Sequence, residues 1–388
     1  MFPVGTVLAQ TVSADQEDST ARYQITYNAQ QHGAFRSLHA DGPNSLTARR
    51  DHMYTFSATA HWGKRLAPET ELYFNPEVVS GVPFAPGLVG LGGFTNGEIT
   101  RAAGSSPKLY RQRLFVRQTW NRGGGAEEVE PDFNQLGGRV DRRRLVLTAG
   151  NFSTLDVFDD NTYAKDPRTQ FMNWGNWTYA AYDYAADSRG FGWGAVLEWY
   201  QGDWIVKTAR LALPTIPNTE KLDYTLRQNY IDHIELTHQH EVGGKPGAIR
   251  ALYYKQHAFM GHYPTVNANA QGLGSAPDIA SSRQAGRRSW GYGLNAEQAI
   301  HSDVGVFARW SWNPGTTETQ TVDISRSLSG GVNIKGASWS RPSDTLGIGF
   351  AINGLANSHI SYLQQGGISP FVGDGAISYE KERIIETF

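Results

Sequence analysis

The stretch Tyr54-Thr-Phe-Ser-Ala-Thr-Ala-His-Trp62 decides the fold class, because apolar side chains alternate in it with polar ones. A period of two residues is typical of a β-strand with one apolar and one polar face. The same alternation recurs along most of the chain, and no stretch of ten or more residues has a convincing helical period. We predict strands at residues 20–30, 52–63, 69–78, 109–121, 139–151, 176–186, 191–201, 203–214, 230–242, 247–259, 289–300, 304–312, 326–336 and 344–354, and from 382 onward.

The composition of the 388 residues favours a membrane barrel. The chain has 11 Trp, 18 Tyr, 17 Phe and 43 Gly, but no apolar run of the length that a transmembrane helix needs. A transmembrane β-barrel shows this combination because its strands need only alternate. The lack of cysteine excludes disulfides and thiolate metal sites, and a net charge of -2 gives no electrostatic basis for binding nucleic acid.

A soluble β-sandwich would alternate in the same way, so the ends of the strands matter. The apolar faces end in aromatic residues such as Tyr54 and Trp62, which suit the girdle at a membrane interface. Tight links such as Gly202-Asp203 alternate with long ones such as 152–175, as periplasmic turns and extracellular loops do. We therefore predict an all-β fold, a transmembrane antiparallel β-barrel that spans residues 20–388 as one domain.

Both ends of the chain carry short informative patterns. Val7-Leu-Ala9 has the spacing of a signal-peptidase site, so residues 1–19 are interpreted as a signal remnant or a flexible leader. Counting back from Phe388 in steps of two residues places Glu386 and Glu382 on the lipid face. Because carboxylates are unfavourable there, we expect Phe388 to lie within a strand and the C-terminal strands of the barrel to be missing from the chain.

Five arginines on two neighbouring strands are predicted to face the interior of the barrel. They are Arg111, Arg113 and Arg117 on the strand 109–121, and Arg142 and Arg144 on the next strand. Guanidinium groups offer planar forks of donors to hydroxyl or carboxylate oxygens, so this set suits a polar solute. The other polar residues predicted to line the interior are Glu71, Tyr73, Asn75, Glu77, Asn295, Glu297 and Arg309. The alternative is that these groups pair with one another as braces of the wall.

The segment 150–177 is predicted to fold into the lumen as a constriction. Ser153 and Asp156 fit a capping box that opens a short helical turn. The carboxylates that would meet the arginines are those of Asp156, Asp159 and Asp160, and the aromatic rings offered to a sugar are those of Phe171, Trp174 and Trp177. These rings are equally suited to packing. Calcium near Asp159 stays open, although the spacing of an EF-hand is absent.

Enzymatic motifs are weak in this sequence. It has no Gly-x-Ser-x-Gly elbow, and the pair His238 and His240 lacks an obvious carboxylate ligand for zinc. Glu71 and Glu77 would lie roughly 20 Å apart on a strand that rises about 3.3 Å per residue, too far for a glycosidase pair. We therefore predict a protein that is not an enzyme and needs neither a cofactor nor a metal.

Several motifs resemble the carbohydrate-selective porins of the OprB family. They are Glu71-Leu-Tyr-Phe-Asn-Pro-Glu77, Gly92-Gly-Phe-Thr-Asn-Gly-Glu98, Arg113-Leu-Phe-Val-Arg-Gln118, Leu147-Thr-Ala-Gly-Asn-Phe-Ser153, Asp156-Val-Phe-Asp-Asp-Asn161, Asp166-Pro-Arg-Thr-Gln-Phe-Met-Asn173, Ala181-Tyr-Asp-Tyr-Ala-Ala186 and Gly373-Asp-Gly375. The resemblance runs from about residue 20 to residue 388. It implies an outer-membrane barrel of about sixteen strands that passes sugars by facilitated diffusion. In that family the arginine-rich lumen would correspond to the arginines named above, and the inward-folded loop to 156–161.

The resemblance also implies the surroundings and the solutes. The protein would lie in the bacterial outer membrane among lipid and lipopolysaccharide and would pass glucose and related mono- or oligosaccharides, neutral or anionic. The lipid face shows no distinctive patch, so the sequence does not determine the oligomeric state, and a monomer is favoured. Two alternatives stay open, a plugged barrel that binds surface polysaccharide without conducting and a soluble glycan hydrolase. The family's members continue past the equivalent of Glu386-Thr-Phe388, in agreement with the expected missing strands.

Overall fold

The computed structural model describes residues 16–36, 45–85, 87, 94–99, 104–369, 371 and 381–388. Residues 1–15 of the expected leader, the Gly373-Asp-Gly375 motif and the first two glycines of the motif at 92–98 lie outside these ranges. The strands are β1 (Ser19–His32), β2 (Asp51–Ala67), β3 (Thr70–Val82), β4 (Gly104–Asn121), β5 (Ala126–Val129), β6 (Gly138–Asp141), β7 (Arg143–Phe152), β8 (Gly192–Gln201), β9 (Trp204–Ala212), β10 (Tyr230–Val242), β11 (Lys245–Met260), β12 (Gln284–Ala299), β13 (Val304–Trp312), β14 (Arg326–Lys335), β15 (Thr345–Gly354) and β16 (Glu382–Thr387). The α-helices are α1 (Trp174–Trp177), α2 (Tyr263–Leu273) and α3 (Asn357–Gln364).

Fourteen of the described strands form one sheet in chain order, from β1 to β4, then β7, and on to β16. Each strand pairs with its neighbours in the antiparallel sense. In the described part of the chain β1 pairs only with β2 and β16 only with β15, so the observed sheet is not closed. The all-β antiparallel prediction is confirmed, while a closed barrel of about sixteen strands stays a prediction.

Apart from the link 122–142, short links lie at one end of this sheet and long links at the other. The links 68–69, 202–203, 243–244 and 300–303 lie at one end of the sheet, which we call the turn end. The links 153–191, 213–229 and 261–283 lie at the opposite end, which we call the loop end. This is the asymmetry that the sequence predicted, and in transmembrane barrels the short turns are periplasmic.

The strand predicted at 176–186 is wrong. This segment begins in α1 and continues as turns, with Tyr182 N–H donating to the carbonyl of Tyr179 over 2.9 Å. Its tyrosines pack against the sheet, with Tyr179 and Tyr182 almost fully buried. Residues 178–186 are buried throughout, so the apolar character of this stretch comes from packing and not from a strand.

The expectation that the chain has no helix of ten residues is also wrong, because α2 has 11. Proline in its first turn and Gly274 at its C-cap, with a φ of 64°, are the usual signals at the two ends of a helix. The apolar residues of α2 are too few for a clear helical period. Among the described residues, no helix is long and apolar enough to cross a membrane.

The main hydrophobic core lies inside the sheet, around residues 153–191. Phe158, Tyr179 and Tyr182 of this link are buried against inward side chains such as Ile231 and Tyr254. We call residues 153–191 the inner loop, and the sheet face that it contacts the inner face. This part of the chain packs against the inner face, and its role as a constriction of the lumen stays a prediction.

Candidate pore constriction

The inner face of β2, β3 and β4 is polar. In β3, Tyr73, Asn75 and Glu77 are buried, while the residues between them are partly exposed on the opposite face. The hydroxyl of Tyr73 donates to Glu71 over 2.7 Å, and Glu71 also pairs with Arg65 at 2.9 Å. The strand alternation therefore places all four predicted β3 residues on the inner face.

Arg113 connects this wall to the inner loop. Its Nε donates to Oδ2 of Asp156 over 2.7 Å and its Nη2 to Oδ1 over 2.6 Å. Burial raises the pKa of Asp156, but the adjacent Arg113 guanidinium outweighs this effect, and the pKa lies below its usual value. The Asp156 carboxylate also accepts from the N–H of Ser153, in the capping box that the sequence predicted.

Arg117 lies four residues after Arg113 on β4, on the same face and closer to the turn end. Its Nη1 donates to the carbonyl of Asn134 over 3.0 Å and lies 3.9 Å from Glu71. The guanidinium carbon is 5.2 Å from the centre of the Tyr73 ring, which holds the side chain flat. Among the described residues Arg117 makes one short hydrogen bond, so donor groups remain for a solute.

Arg111 faces the other side of the sheet, contrary to the prediction. A β-bulge lies between the pairs Asn75–Arg113 and Pro76–Arg111, so that Gln112 is the extra residue. The bulge reverses the phase of β4, and Arg111 pairs with the outward residue Pro76. There it is exposed and donates to Asn151 over 3.2 Å.

The second predicted arginine pair is divided as well. Arg144 begins the inner face of β7, stacks on Tyr200 at 3.8 Å and donates to Glu127 over 3.0 Å. Arg142 lies outside the strands, because the backbone bends at this residue between β6 and β7. It is exposed at the turn end, 3.3 Å from Asp203. Of the five arginines predicted to face the interior, three therefore lie on the inner face: Arg113, Arg117 and Arg144.

Glu77 is a buried centre of hydrogen bonds instead of an open acceptor. It accepts from Thr59 over 2.6 Å, from Gln112 over 2.8 Å and from the hydroxyl of Tyr110. Arg168 of the inner loop lies 3.2 Å from Glu77 and 2.8 Å from Glu98. Asn75 is likewise fully buried, and its Nδ2 forms a hydrogen bond with Nδ1 of His61 over 2.7 Å. The prediction did not include Arg168 or Glu98, although both lie in motifs of the resemblance.

Asp159 and Arg309 form a buried ion pair that anchors the inner loop. Nε of Arg309 donates to Oδ1 of Asp159 over 2.8 Å, and each side chain is only 1% exposed. The other guanidinium nitrogens donate to the carbonyls of Ala164 and Asn176, over 2.6 and 3.2 Å. Asp159 also accepts from Asn295 over 2.7 Å. We call Asp159, Asn295 and Arg309 the staple.

Two further predicted residues reinforce the staple or approach it. Glu297 accepts from the N–H of Thr162 and from Arg250, the latter over 3.0 Å. Asp160 stands apart from the staple and pairs with Lys165 at 2.5 Å, with half of the Asp160 side chain exposed. The adjacent Lys165 lowers the pKa of Asp160.

The predicted aromatic residues differ in their surroundings. Phe171 is fully buried between Phe307 and Phe388, above Gly349, and is therefore a packing residue. Trp174 and Trp177 meet edge to face at 5.0 Å and both border an open cavity. Trp174 is 3% exposed, so Trp177 offers the larger ring surface of the two.

A segment that the sequence did not reveal enters from the turn end. Residues 122–142 form the β5–β6 hairpin, whose tip reaches the inner face. The tip places Phe133 on His61 with ring centres 4.5 Å apart, and Leu136 N–H donates to the hydroxyl of Tyr73 over 3.0 Å. The run Gly123-Gly-Gly125 was the available signal for a chain reversal here.

Two cavities share part of their lining at this hairpin tip and the inner loop. One, of about 420 Å³, opens on the loop side and is bordered by Phe133, Trp174 and Trp177. The other, of about 440 Å³, opens on the turn side and is bordered by Glu71, Arg144 and Glu198. The residues that border both are Arg117, Gln135, Asp156 and Lys165. A solute that crossed from one cavity to the other would pass these four side chains, which we call the constriction.

The described residues contain no group of three or more His, Asp or Glu side chains placed to hold a metal ion. The carboxylate of Asp159, where calcium was left open, is occupied by Arg309, Asn295, Thr178 and the N–H of Tyr179. Within the described ranges, therefore, no arrangement of ligands supports calcium at Asp159.

A family model described as "Carbohydrate-selective porin, OprB family" matches residues 47–388. Among curated protein sequences, none matches the chain significantly. The solved high-pH structure of Pseudomonas putida OprB is similar with a TM-score of 0.61 and 15% identity, over 89% of this chain and 78% of that chain. The low-pH structure of the same P. putida protein gives a TM-score of 0.44 and 14% identity, over 87% of this chain and 77% of that chain. The first of these similarities shows a shared fold of porin type.

Proposed function

The chain belongs to the OprB family of carbohydrate-selective porins, and we propose that sugars cross it by facilitated diffusion through the constriction. A protein of this family lies in the bacterial outer membrane, and its fold is that of a channel and not of an enzyme. The observation that carries the proposal is that two polar cavities are lined in common by Arg117, Gln135, Asp156 and Lys165. We propose further that residues 20–388 act as one barrel domain after a leader at 1–19, and that a monomer conducts.

The charges at the constriction favour neutral sugars in this proposal. Arg113 is paired with Asp156 and Lys165 with Asp160, so two cations are compensated by two carboxylates. Arg117 shares Glu71 with Arg65, at 3.9 and 2.9 Å respectively, so one cation in excess remains beside the constriction. A field that is nearly balanced neither attracts nor repels ions strongly, whereas guanidinium donors and carboxylate acceptors match the hydroxyls of a sugar.

Aromatic rings beside the constriction supply an apolar contact. Phe133 is 40% exposed on the loop-side cavity, and Trp177 borders the same cavity. A pyranose ring has an apolar C–H face that packs on an aromatic ring while its hydroxyls reach polar groups. A non-aromatic amino acid of similar size lacks such a face, so it gains less from these rings.

Liposome swelling with the full protein tests this function. We expect glucose to enter faster than an amino acid of glucose-like size, and a trisaccharide to enter more slowly than glucose. Phe133→Ala should reduce the preference for glucose, whereas Phe350→Ala, which removes an exposed ring from the outer face of β15, should not. Equal rates for glucose and the amino acid would show a general porin, and no swelling would favour the plugged polysaccharide binder.

A further inference from the structure

The outer face of β9 to β12 carries a row of charges near the loop end. Arg210, Asp232 and Lys255 are register neighbours across β9, β10 and β11. In the next row toward the loops, His257 of β11 pairs with Arg288 of β12. All five alternate with buried residues of the inner face, so they point away from the lumen.

Two of these cations have no partner among the described residues. Arg210 is neutralised by Asp232, with donor distances of 2.7 and 2.8 Å, and its guanidinium lies 4.2 Å from the centre of the Tyr230 ring. Lys255 and Arg288 are exposed, and within the described ranges neither side chain makes a hydrogen bond or an ion pair. On a face that meets lipid, two such charges need an anionic partner or the water of the headgroup layer.

The spacing of the two cations suits a phosphate group. Trp290 is the register partner of Lys255, so Arg288 is the diagonal neighbour of Lys255. Diagonal neighbours on one face of a sheet lie about 7–8 Å apart, close enough for both side chains to reach one phosphate. The Trp290 ring, 39% exposed, lies on the same face and suits the membrane interface.

Apolar surface continues from this row toward the middle of the sheet. Ile234, Tyr253 and Leu294 are 49%, 44% and 49% exposed there. Beside the Arg210–Asp232 pair lies a shallow depression of about 310 Å³, where the small side chains of Ala195 and Thr208 leave room. Four strands at a spacing of about 4.8 Å make this surface roughly 14 Å wide, enough for several acyl chains.

We propose that the outer face of β9 to β12 is a binding site for a phosphorylated glycolipid of the outer leaflet. Arg288 and Lys255 hold the phosphate, the first as a planar donor fork and the second as a point charge. The acyl chains lie along Ile234, Tyr253 and Leu294 and in the depression beside Ala195. The loop end faces the outer leaflet because long loops of outer-membrane barrels are extracellular. This inference does not depend on which solute the lumen conducts.

The test measures binding of purified outer-leaflet glycolipid, with and without its phosphates, to the full protein in detergent by native mass spectrometry. The double variant Lys255→Ala, Arg288→Ala should raise the apparent Kd for the phosphorylated lipid about 30-fold, since each cation near a charged lipid surface contributes about one tenfold step or less. The dephosphorylated lipid should bind the wild type and the double variant equally weakly.

The matched control is Lys64→Ala with Arg143→Ala, which removes exposed outward cations from the turn end. It should leave glycolipid binding unchanged, and both double variants should keep the folded mobility on unheated gels and the sugar swelling rates. Equal losses in the two double variants would overturn the proposal in favour of diffuse attraction. Displacement of the lipid by millimolar inorganic phosphate would overturn it in favour of a small-anion site. A dimer that separates in the first variant would identify this face as a contact between copies.

Discussion

The wall formed by β3 and β4 and the wall formed by β12 and β13 both present polar residues to the interior, but they use them differently. In the first wall Arg117 borders both cavities, with 26% of its side chain exposed. In the second wall Arg309 is 1% exposed, and the inner loop occupies its donors. One arginine is available to a solute, whereas the other holds the chain in place.

This difference comes from what covers each wall. The inner loop packs directly on β12 and β13, where Gly305 leaves room for Tyr163 and Gly293 for Tyr179. Opposite β3 and β4 the loop reaches the wall through the pairs Arg113–Asp156 and Arg168–Glu77 and leaves the two cavities open beside them. An inward polar residue of this sheet therefore lines the path or anchors the loop according to its distance from the staple.

The largest effect is expected from breaking the staple. Arg309→Met leaves Asp159 buried without its cation, and removing one partner of a buried ion pair costs about 3–5 kcal/mol. We expect a lower midpoint of thermal unfolding and release of the inner loop from the wall. Single-channel conductance should rise, and discrimination among solutes should fall.

Two variants make this test specific. Arg210→Met breaks the exposed pair with Asp232, and such pairs contribute about 0–1 kcal/mol, so its unfolding midpoint should stay near that of the wild type. The combination Asp159→Asn, Arg309→Met removes both charges and should recover part of the lost stability. Conductance that is unchanged in Arg309→Met would show that the inner loop holds its place without the staple.

The sequence predicted the strands of the two walls better than the different roles of their inward residues. Strand alternation identified nearly every strand of the large sheet, and it placed Arg113 and Arg117 on the inner face. It failed at Arg111, because a bulge of one residue at Gln112 reverses the phase and no side-chain pattern announces it. Alternation reports which residues face inward, and contacts formed between distant segments decide what they do there.

The inner loop shows the same limit. Its inward fold was expected from the carboxylates and aromatic residues of 150–177 and from the resemblance, yet a strand was predicted at 176–186. The partners of Asp159 and Asp156 lie more than a hundred and more than forty positions away in the chain, respectively, and no local signal connects them. The entry of the hairpin 122–142 from the turn end is another long-range contact of this kind.

The next largest effect is expected from the pH dependence of buried carboxylates, which differ in whether a cation lies beside them. The pKa of Asp156 is held low beside Arg113, whereas burial without a cation raises the pKa of Asp183 to about 6 and that of Asp323 to about 6. Both groups lie in links at the loop end. Asp183 accepts from the N–H groups of Gln320 and Thr321, over 2.7 and 2.9 Å, and so joins the inner loop to the link 313–325.

The sign follows from proton binding. Between pH 4 and pH 6 the folded links bind more protons than the unfolded chain, so their stability falls as pH rises through this range. A shift of about two units is worth up to about 3 kcal/mol per group. Amide hydrogen exchange of 317–323, corrected for intrinsic rates, should be slower at pH 5.0 than at pH 7.5. Asp323→Asn should remove part of this dependence, and a dependence that stays whole would mean that another group titrates.

A smaller effect is expected from filling the space beneath the inner loop. A Cβ added at Gly305 would lie 2.0 Å from the Tyr163 ring, so Gly305→Ala forces the ring to move. Overpacking of this kind typically costs about 1–3 kcal/mol. The unfolding midpoint should fall, whereas Gly272→Ala in α2, where a Cβ meets nothing within 4 Å, should leave it unchanged or raise it. An unchanged unfolding midpoint in Gly305→Ala would show that the Tyr163 ring does not pack on Gly305.

The smallest change in stability, and the one most specific to the solute path, is expected from the first wall. Replacing Arg113 and Arg117 together by Ala removes donors from a partly open site, where Asp156 keeps 32% of its side chain exposed and can be hydrated. In planar bilayers we expect a higher ion conductance and a several-fold weaker block of that current by sugar, with an unfolding midpoint close to that of the wild type. Arg111→Ala, on the same strand but on the outer face, should change neither conductance nor block. If the double variant keeps its sugar block, these arginines brace the wall, and the two walls differ in exposure but not in role.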